Sequence, residues 1–269
     1  MKILYSEKMI TENTTIKIMS FNMLFGGYEG TDFSLEKRKE KIIDVIKKEK
    51  PDIIGCQEVT DSTRDWLESL LFDEYSVIGV GRNSDCRGEG CPVFYNKSKF
   101  ALISFDTFWL SDDPLLPGSF ASNTGQSPCP RLAHILYLRC YDDGCPIIFL
   151  NTHLDNFTED CRKFELEIIE KKLGDIHANT CCIMTGDLNL EPDADYFKEF
   201  LKNLDCIGLK DATSNISGTF HNFGRLEKPM KIDYILTNAP VISSQIVEDK
   251  CDGGIWYSDH YAVTSLIKV

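Results

Sequence analysis

The sequence lacks any apolar run near the ~18 residues needed to cross a bilayer, so a membrane-spanning segment is not expected. Met1 to Thr15 is charged and polar where a cleaved secretory signal needs an unbroken apolar stretch, so the reading is a polar leader on an intracellular, cytoplasmic protein. No C-x-x-C pair occurs among the 11 cysteines, and their number is odd. Cys56, Cys140, Cys181 and Cys182 lie inside apolar runs as small core residues, which favours reduced thiols. The spacings Cys86/Cys91 and Cys140/Cys145 suit a cross-link or zinc, but nothing nearby completes a zinc set. A basic excess is also missing. The net charge of -13 disfavours a broad face gripping duplex DNA through its phosphates, whereas acidic residues can gather divalent cations. With no Pro/Gly/Ser linker and no internal repeat, residues 16–269 read as one domain, expected to be monomeric, and the 42% hydrophobic content is enough for its core.

What is present alternates between two periodicities. Ile16 to Met23, Asp52 to Val59, Tyr75 to Gly81, Pro92 to Tyr95 and Lys99 to Leu110 read as strands. Helices are expected from Ser34 to Lys50, where Leu35, Ile42, Ile43 and Ile46 share a face and Pro51 ends the run, and from Asp61 to Leu71, with Trp66, Leu67, Leu70 and Leu71 inward. Asp112 to Pro130 has no period, and a loop of that length either shapes a site or is disordered. Arg131 to Cys140 and Pro146 to Leu150 form a hairpin about Asp142-Asp143-Gly144, and helices follow at Thr158 to Ile176 and Asp193 to Leu204. The remaining strands are Ile207 to Asp211, Thr219 to Phe223, Lys231 to Leu236, Ser244 to Val247 and Tyr261 to Val269.

The chemistry collects where strands end. In Cys181-Cys-Ile-Met-Thr-Gly-Asp-Leu-Asn-Leu-Glu-Pro192 an apolar run delivers Asp187 and Asn189, which in an extended segment point the same way; an Asx turn at the strand end is the competing reading. Asn22, Glu58, His153, Asp233 and the pair Asp259-His260 stand at similar boundaries. Carboxylates and amides with two histidines, and no cysteine, are hard donors that suit Mg²⁺, with Mn²⁺ able to substitute, rather than structural zinc.

Read in order, Ser20-Phe-Asn22, Gln57-Glu-Val59, Asn151-Thr-His-Leu-Asp155, Gly186-Asp-Leu-Asn189, Ile232-Asp-Tyr-Ile-Leu236 and Ser258-Asp-His-Tyr261 resemble the endonuclease/exonuclease/phosphatase superfamily over almost the whole chain. The resemblance implies an α/β fold: a four-layer sandwich of two packed, mainly antiparallel sheets flanked by helices, with the site at one end. It implies a metal-dependent phosphoesterase in which Glu58 is the principal metal ligand, assisted by Asn22 and by Asp233, the latter as ligand or as organiser of a histidine. Asp187 would orient or deprotonate the attacking water, Asn189 would donate to the phosphate, and His153 and His260 would stabilise the developing charge, His260 being oriented by Asp259. Where some DNA-repair members have a second carboxylate, this chain has Leu24, which puts a second metal position of that kind in doubt.

Arg82, Glu89 and Arg131 flank the expected cleft loops as substrate-contact candidates, with an exposed salt bridge as the commoner fate of such residues. The inositol-phosphatase Trp and Cys-Asp-Arg pattern is absent around Asp233, and no exposed apolar hairpin of the sphingomyelinase kind is evident. The segments Thr107-Phe-Trp-Leu-Ser111 and Gly88-Glu89 look like an uncharacterised branch related to the deadenylase-like members, favouring a small phosphodiester, a phosphomonoester or single-stranded nucleic acid. A catalytically silent protein that binds a partner through the same cleft is the reading from a different class.

Overall fold

The computed structural model describes residues 14–26, 28–174, 176, 180–249 and 252–269; residues 1–13 of the polar leader and Cys251 lie outside them, and β1 already begins at Thr15. The first half of the chain supplies β1 (Thr15–Asn22), α1 (Leu35–Glu49), β2 (Ile53–Gln57), α2 (Asp61–Leu71), β3 (Tyr75–Ile78), β4 (Val93–Asn96) and β5 (Phe100–Trp109). The second supplies β6 (Leu132–Cys140), β7 (Pro146–His153), α3 (Glu159–Gly174), β8 (Cys181–Asp187), α4 (Asp195–Asn203), β9 (Lys210–Asp211), β10 (Asp233–Thr237), β11 (Val241–Val247) and β12 (Ala262–Lys268). They build two six-stranded sheets, ordered β11-β12-β1-β2-β4-β3 and β5-β6-β7-β8-β10-β9. Only β1–β2 and β7–β8 pair in parallel, each across a helical crossover, and the remaining pairs are antiparallel.

Strand alternation sorts the side chains into three apolar layers. Met19 and Phe21 face outward to Ile42, Ile46 and Leu67 of α1 and α2. Ile148, Leu150, Cys182 and Met184 face outward to Leu166, Ile169 and Phe197 of α3 and α4. Between the sheets Ile16, Ile18 and Ile53 meet Phe149, Ile183 and Ile235. Along that inner face each central strand changes chemistry as it runs. β1 reads Ile16, Ile18, Ser20, Asn22, β7 reads Ile147, Phe149, Asn151, His153, and β8 ends Ile183, Thr185, Asp187. The polar rung ties the sheets together. Gln57 Nε2 donates to Asn151 Oδ1 at 2.8 Å, Thr185 Oγ1 donates to the same oxygen at 2.9 Å, and Asn151 Nδ2 donates to the Cys56 and Cys91 carbonyls at 2.7 and 2.9 Å. Gly55 leaves room for it, since a Cβ there would stand 2.0 Å from Thr185 Oγ1.

Several elements differ from the sequence reading. Thr219 to Phe223 is not a strand: Phe220 makes isolated bridges to Met230 and His260, and Asn222 and Phe223 turn through positive φ. Most of Ile207 to Asp211 is a turn entering the two-residue β9. In α2 Leu70 is exposed, while Thr63, Leu67 and Leu71 form the buried face. The Asp112 to Pro130 loop is held rather than loose: Ser127 N donates to Asp155 Oδ2 at 3.0 Å, and the Gln126 side chain bridges Ala121 N and Cys129 O. All ten described cysteines are free thiols.

Candidate active site

The strands that carry the polar rung end together, and their next inward residues form the site. Asn22 leaves β1, Asp187 ends β8, His153 ends β7 and Asp233 starts β10, with His153 and Asp233 both registered against Asp187. The chain bends through the left-handed region at a residue other than glycine as it leaves β1, β2 and β8, with φ of 54° at Leu24, 61° at Glu58 and 49° at Asn189. Such conformations cost about 1 kcal/mol or more and cluster at functional sites.

The first and third bends share a local cause. Asn22 Oδ1 accepts from Leu24 N at 3.0 Å, and Asp187 Oδ1 accepts from Asn189 N at 3.0 Å, so both are Asx turns. The turn reading and the site reading of Gly186-Asp187-Leu188-Asn189 therefore describe one structure, and the extended geometry expected across Asn189 does not occur. Glu58 is fixed by Phe25 N, which donates to its Oε2 at 2.9 Å.

Asn22 Nδ2 sits between two carboxylates, donating to Glu58 Oε1 at 3.1 Å and to Asp187 Oδ2 at 2.9 Å. Asn189 Nδ2 donates to the Leu154 carbonyl and to His153 Nε2, both at 3.0 Å, so its amide is committed to shaping the site and the His153 ring accepts. Burial, with the positive charge of Arg131 and Arg82, holds the His153 pKa well below its usual range, consistent with a neutral ring. His260 is the opposite case. Burial alone would lower its pKa, but the Asp233 carboxylate, 2.8 Å from Nδ1, and Asp187, 3.8 Å from Nε2, raise it to about 10. The partner that holds this ring is thus Asp233; the Asp259 carboxylate, expected to do so, accepts instead from Ser258 Oγ at 3.3 Å. Burial and the nearby Asp233 lift the Asp187 pKa to about 7.

Glu58, Asp187, Asn189, His153, Asp259 and His260 line one cleft of about 570 Å³, together with Arg82, Glu89 and Arg131. Asn22 and Asp233 lie buried beneath it. Two groups of ligand atoms fall within 4.8 Å of one another, Glu58 with His153 and Asp187, and Asp187 with Asp233 and His260. The donor chemistry of the first group, two carboxylates and a histidine that all line the cleft, fits a divalent cation. The second is internally paired through His260 and Asp233, although Asp233 Oδ1 is buried without a hydrogen bond.

Sequence reasoning missed Arg38. Fully buried in α1, its guanidinium donates to the carbonyls of Phe33, Met23, Leu24 and Tyr257 at 2.6 to 3.0 Å, tying the Asn22 exit to the Ser258–His260 segment. Its signal was an arginine on the face of Leu35, Ile42 and Ile46. Phe220, whose ring lies 4.8 Å from that of His260, was read as part of a strand and not as cleft wall.

Two six-stranded sheets with a carboxylate, amide and histidine cluster where their central strands end form an α/β sandwich carrying a candidate metal-binding cleft. The chain belongs to the Endonuclease/Exonuclease/phosphatase family, whose pattern it matches over residues 19–260. Members of that family are metal-dependent phosphoesterases. A family protein from Bacteroides vulgatus is 27% identical, with a TM-score of 0.87 over 95% of this chain and 99% of that one. A mannosyl-6-phosphatase from Bacteroides thetaiotaomicron shares the fold, with a TM-score of 0.82 at 23% identity over 94% of this chain and 100% of that one. A probable RNA exonuclease of Saccharomyces cerevisiae is 26% identical over 201 residues, which make up 68% of this chain and 39% of the yeast protein. Among the described residues no helix is long and apolar enough to cross a membrane.

Proposed function

We propose that this chain hydrolyses a small phosphodiester or phosphomonoester, or single-stranded nucleic acid, by in-line attack of an activated water, with Mg²⁺ as cofactor and Mn²⁺ able to replace it. The observation that carries this reading is the convergence of Glu58 and Asp187 about Asn22 Nδ2, with a charged His260 facing the same carboxylate. A phosphorane-like transition state needs a proton acceptor for the water and donors for the extra charge on phosphate oxygens. Asp187, oriented by Asn189 N, takes the proton as the new O–P bond forms and the P–O bond to the leaving group breaks, the departing alkoxide taking a proton from solvent to leave as the alcohol. His260, held by Asp233, keeps its Nε2–H turned to the cleft and donates to a non-bridging oxygen. Asn22 spaces the two carboxylates, and His153 with Asn189 closes the far side. Glu58 and Asp187 are the residues that would hold the cation, and when bound it supplies positive charge to the non-bridging and leaving oxygens. The free cysteines support a reducing, intracellular setting.

A panel of aryl phosphomonoesters, aryl phosphodiesters, RNA and DNA, assayed with Mg²⁺ and with EDTA, tests the proposal. Turnover of at least one ester that EDTA abolishes is expected. Absence of turnover on every member with either Mg²⁺ or Mn²⁺ would overturn it and leave the cleft to a binding protein.

A further inference from the structure

Beside the catalytic cluster a recess of about 10 Å³ is walled by Glu58, Arg82, Glu89, Arg131 and His153. That volume holds one water-sized group. It is built deliberately by the backbone. The Val59–Gly90 and Gly81–Gly90 bridges press a tight hairpin against the residue after Glu58, and a Cβ at Gly81 or Gly90 would stand 2.1 Å from Arg87 C or 2.4 Å from Val80 O. The hairpin sets Arg82 and Glu89 face to face, joined by Arg82 N to Glu89 O at 2.8 Å and by Arg82 Nη2 to Glu89 Oε1 at 2.9 Å. Both side chains are largely covered, so this is not the solvated pair that the sequence suggests as the commoner case.

Arg131 closes the recess. The residue is 5% exposed, its Nη2 donates to Asn156 Oδ1 at 3.2 Å, and its Nε has no hydrogen-bond partner, lying 3.8 Å from Asp155 Oδ2. The recess therefore offers guanidinium donors and carboxylate acceptors in a space for one heavy atom. A hydroxyl uses both kinds of partner at once. A second phosphate is too large for the space and would face Glu58 and Glu89, and a nucleobase is larger still.

We propose that the recess takes one hydroxyl of a vicinal diol on the group esterified to the phosphate and its rim the other, making a specificity subsite. One hydroxyl enters between Arg131 and Glu89, and its neighbour pairs with the remaining edge of the Arg82–Glu89 fork. This deepens the phosphoesterase reading and rests on it. A sugar phosphate and a ribonucleotide both carry the required diol.

The test uses the full chain with Mg²⁺ and two matched pairs, a hexose 6-phosphate against its deoxy counterpart and a ribodinucleotide against a deoxyribodinucleotide, with p-nitrophenyl phosphate as a diol-free reference. At least one pair should show about ten-fold or greater preference in kcat/KM for the hydroxylated member, and that pair identifies the source of the diol. Glu89→Gln, an isosteric change, and Arg131→Met should each reduce the preference to near unity. Turnover without preference in either pair overturns the subsite and leaves the phosphoesterase reading intact, as does preference that survives both variants. Stronger turnover of a sugar bisphosphate than of the matching monophosphate would reassign the recess to a second phosphate. Lack of turnover of every ester would instead remove the parent reading.

Discussion

Replacing Asp233 by Asn isolates the charge that the site places opposite its phosphate. Asn keeps the shape and can still accept from His260 Nδ1, now 2.8 Å from Asp233 Oδ2, so ring orientation is retained while the negative charge is lost. The rise of the His260 pKa from 6.5 to about 10 corresponds to on the order of 5 kcal/mol of preference for the charged ring, achieved against burial. Without Asp233, burial brings the ring toward neutrality at pH 8, and a charged donor to the transition state is lost, worth about 10² to 10³ in kcat. The assay is the pH profile of kcat on an aryl phosphate at saturating Mg²⁺. In the wild type the alkaline limb set by His260 should lie near 10; in Asp233→Asn it should move below about 7, with part of the activity regained on the acid side. Linkage gives a second readout in EDTA. A histidine whose folded pKa is raised contributes stability that is complete below its unfolded value near 6.5 and is lost as pH rises through about 10. The His260 contribution to the wild-type melting temperature should therefore decline across that window, and the decline should vanish in the variant. Activity within about three-fold of wild type together with an unmoved alkaline limb would refute the assignment of His260 as a charged donor held by Asp233.

Glu58→Gln should lower kcat by at least about 10², and should also abolish the stabilisation by added Mg²⁺, which for the wild type is worth about 2.7 kcal/mol at 100 times Kd and is read as a rise in melting temperature. Glu165 is fully buried beside Asp155 N, and burial raises its pKa to about 8. From about pH 4.5 to 8 the unfolded chain releases that proton while the folded chain keeps it, so stability falls through this window. Glu165→Gln should flatten the fall and gain on the order of 4 kcal/mol at pH 8 by urea titration; an unchanged slope would mean that Glu165 is ionised when folded. Arg38→Met keeps the bulk but leaves four carbonyls without their donor, and should cost about 3 to 5 kcal/mol in urea unfolding. Gly55→Ala should cost about 1 to 3 kcal/mol by pushing Thr185 off Asn151 Oδ1.

The site was legible because the space between two packed sheets is apolar wherever it is closed, so a charged inward residue can stand only where a strand leaves the sandwich. Each central strand writes that transition in its alternate residues, from Ile18 through Ser20 to Asn22 and from Ile183 through Thr185 to Asp187. What could not be read was which polar residue meets which across the sheets. Asp259 is next to His260 in the chain, but in an irregular segment neighbours need not share a direction, and its carboxylate turns to Ser258. The ring is met instead by Asp233, 27 positions away and brought there by the pairing of β10 with β8. Arg38 was hidden for a related reason. Its partners are backbone carbonyls of Phe33, Met23, Leu24 and Tyr257, and carbonyls carry no sequence signature. The left-handed turns at Leu24 and Glu58 were equally silent, because neither residue type favours that conformation. Those turns need an external hold. Arg38 grips the first through Met23 O and Leu24 O, and Phe25 N, just beyond it, grips Glu58. The metal-side carboxylate is therefore fixed by a helix residue that never touches it, through a turn that Asn22 initiates and Arg38 holds.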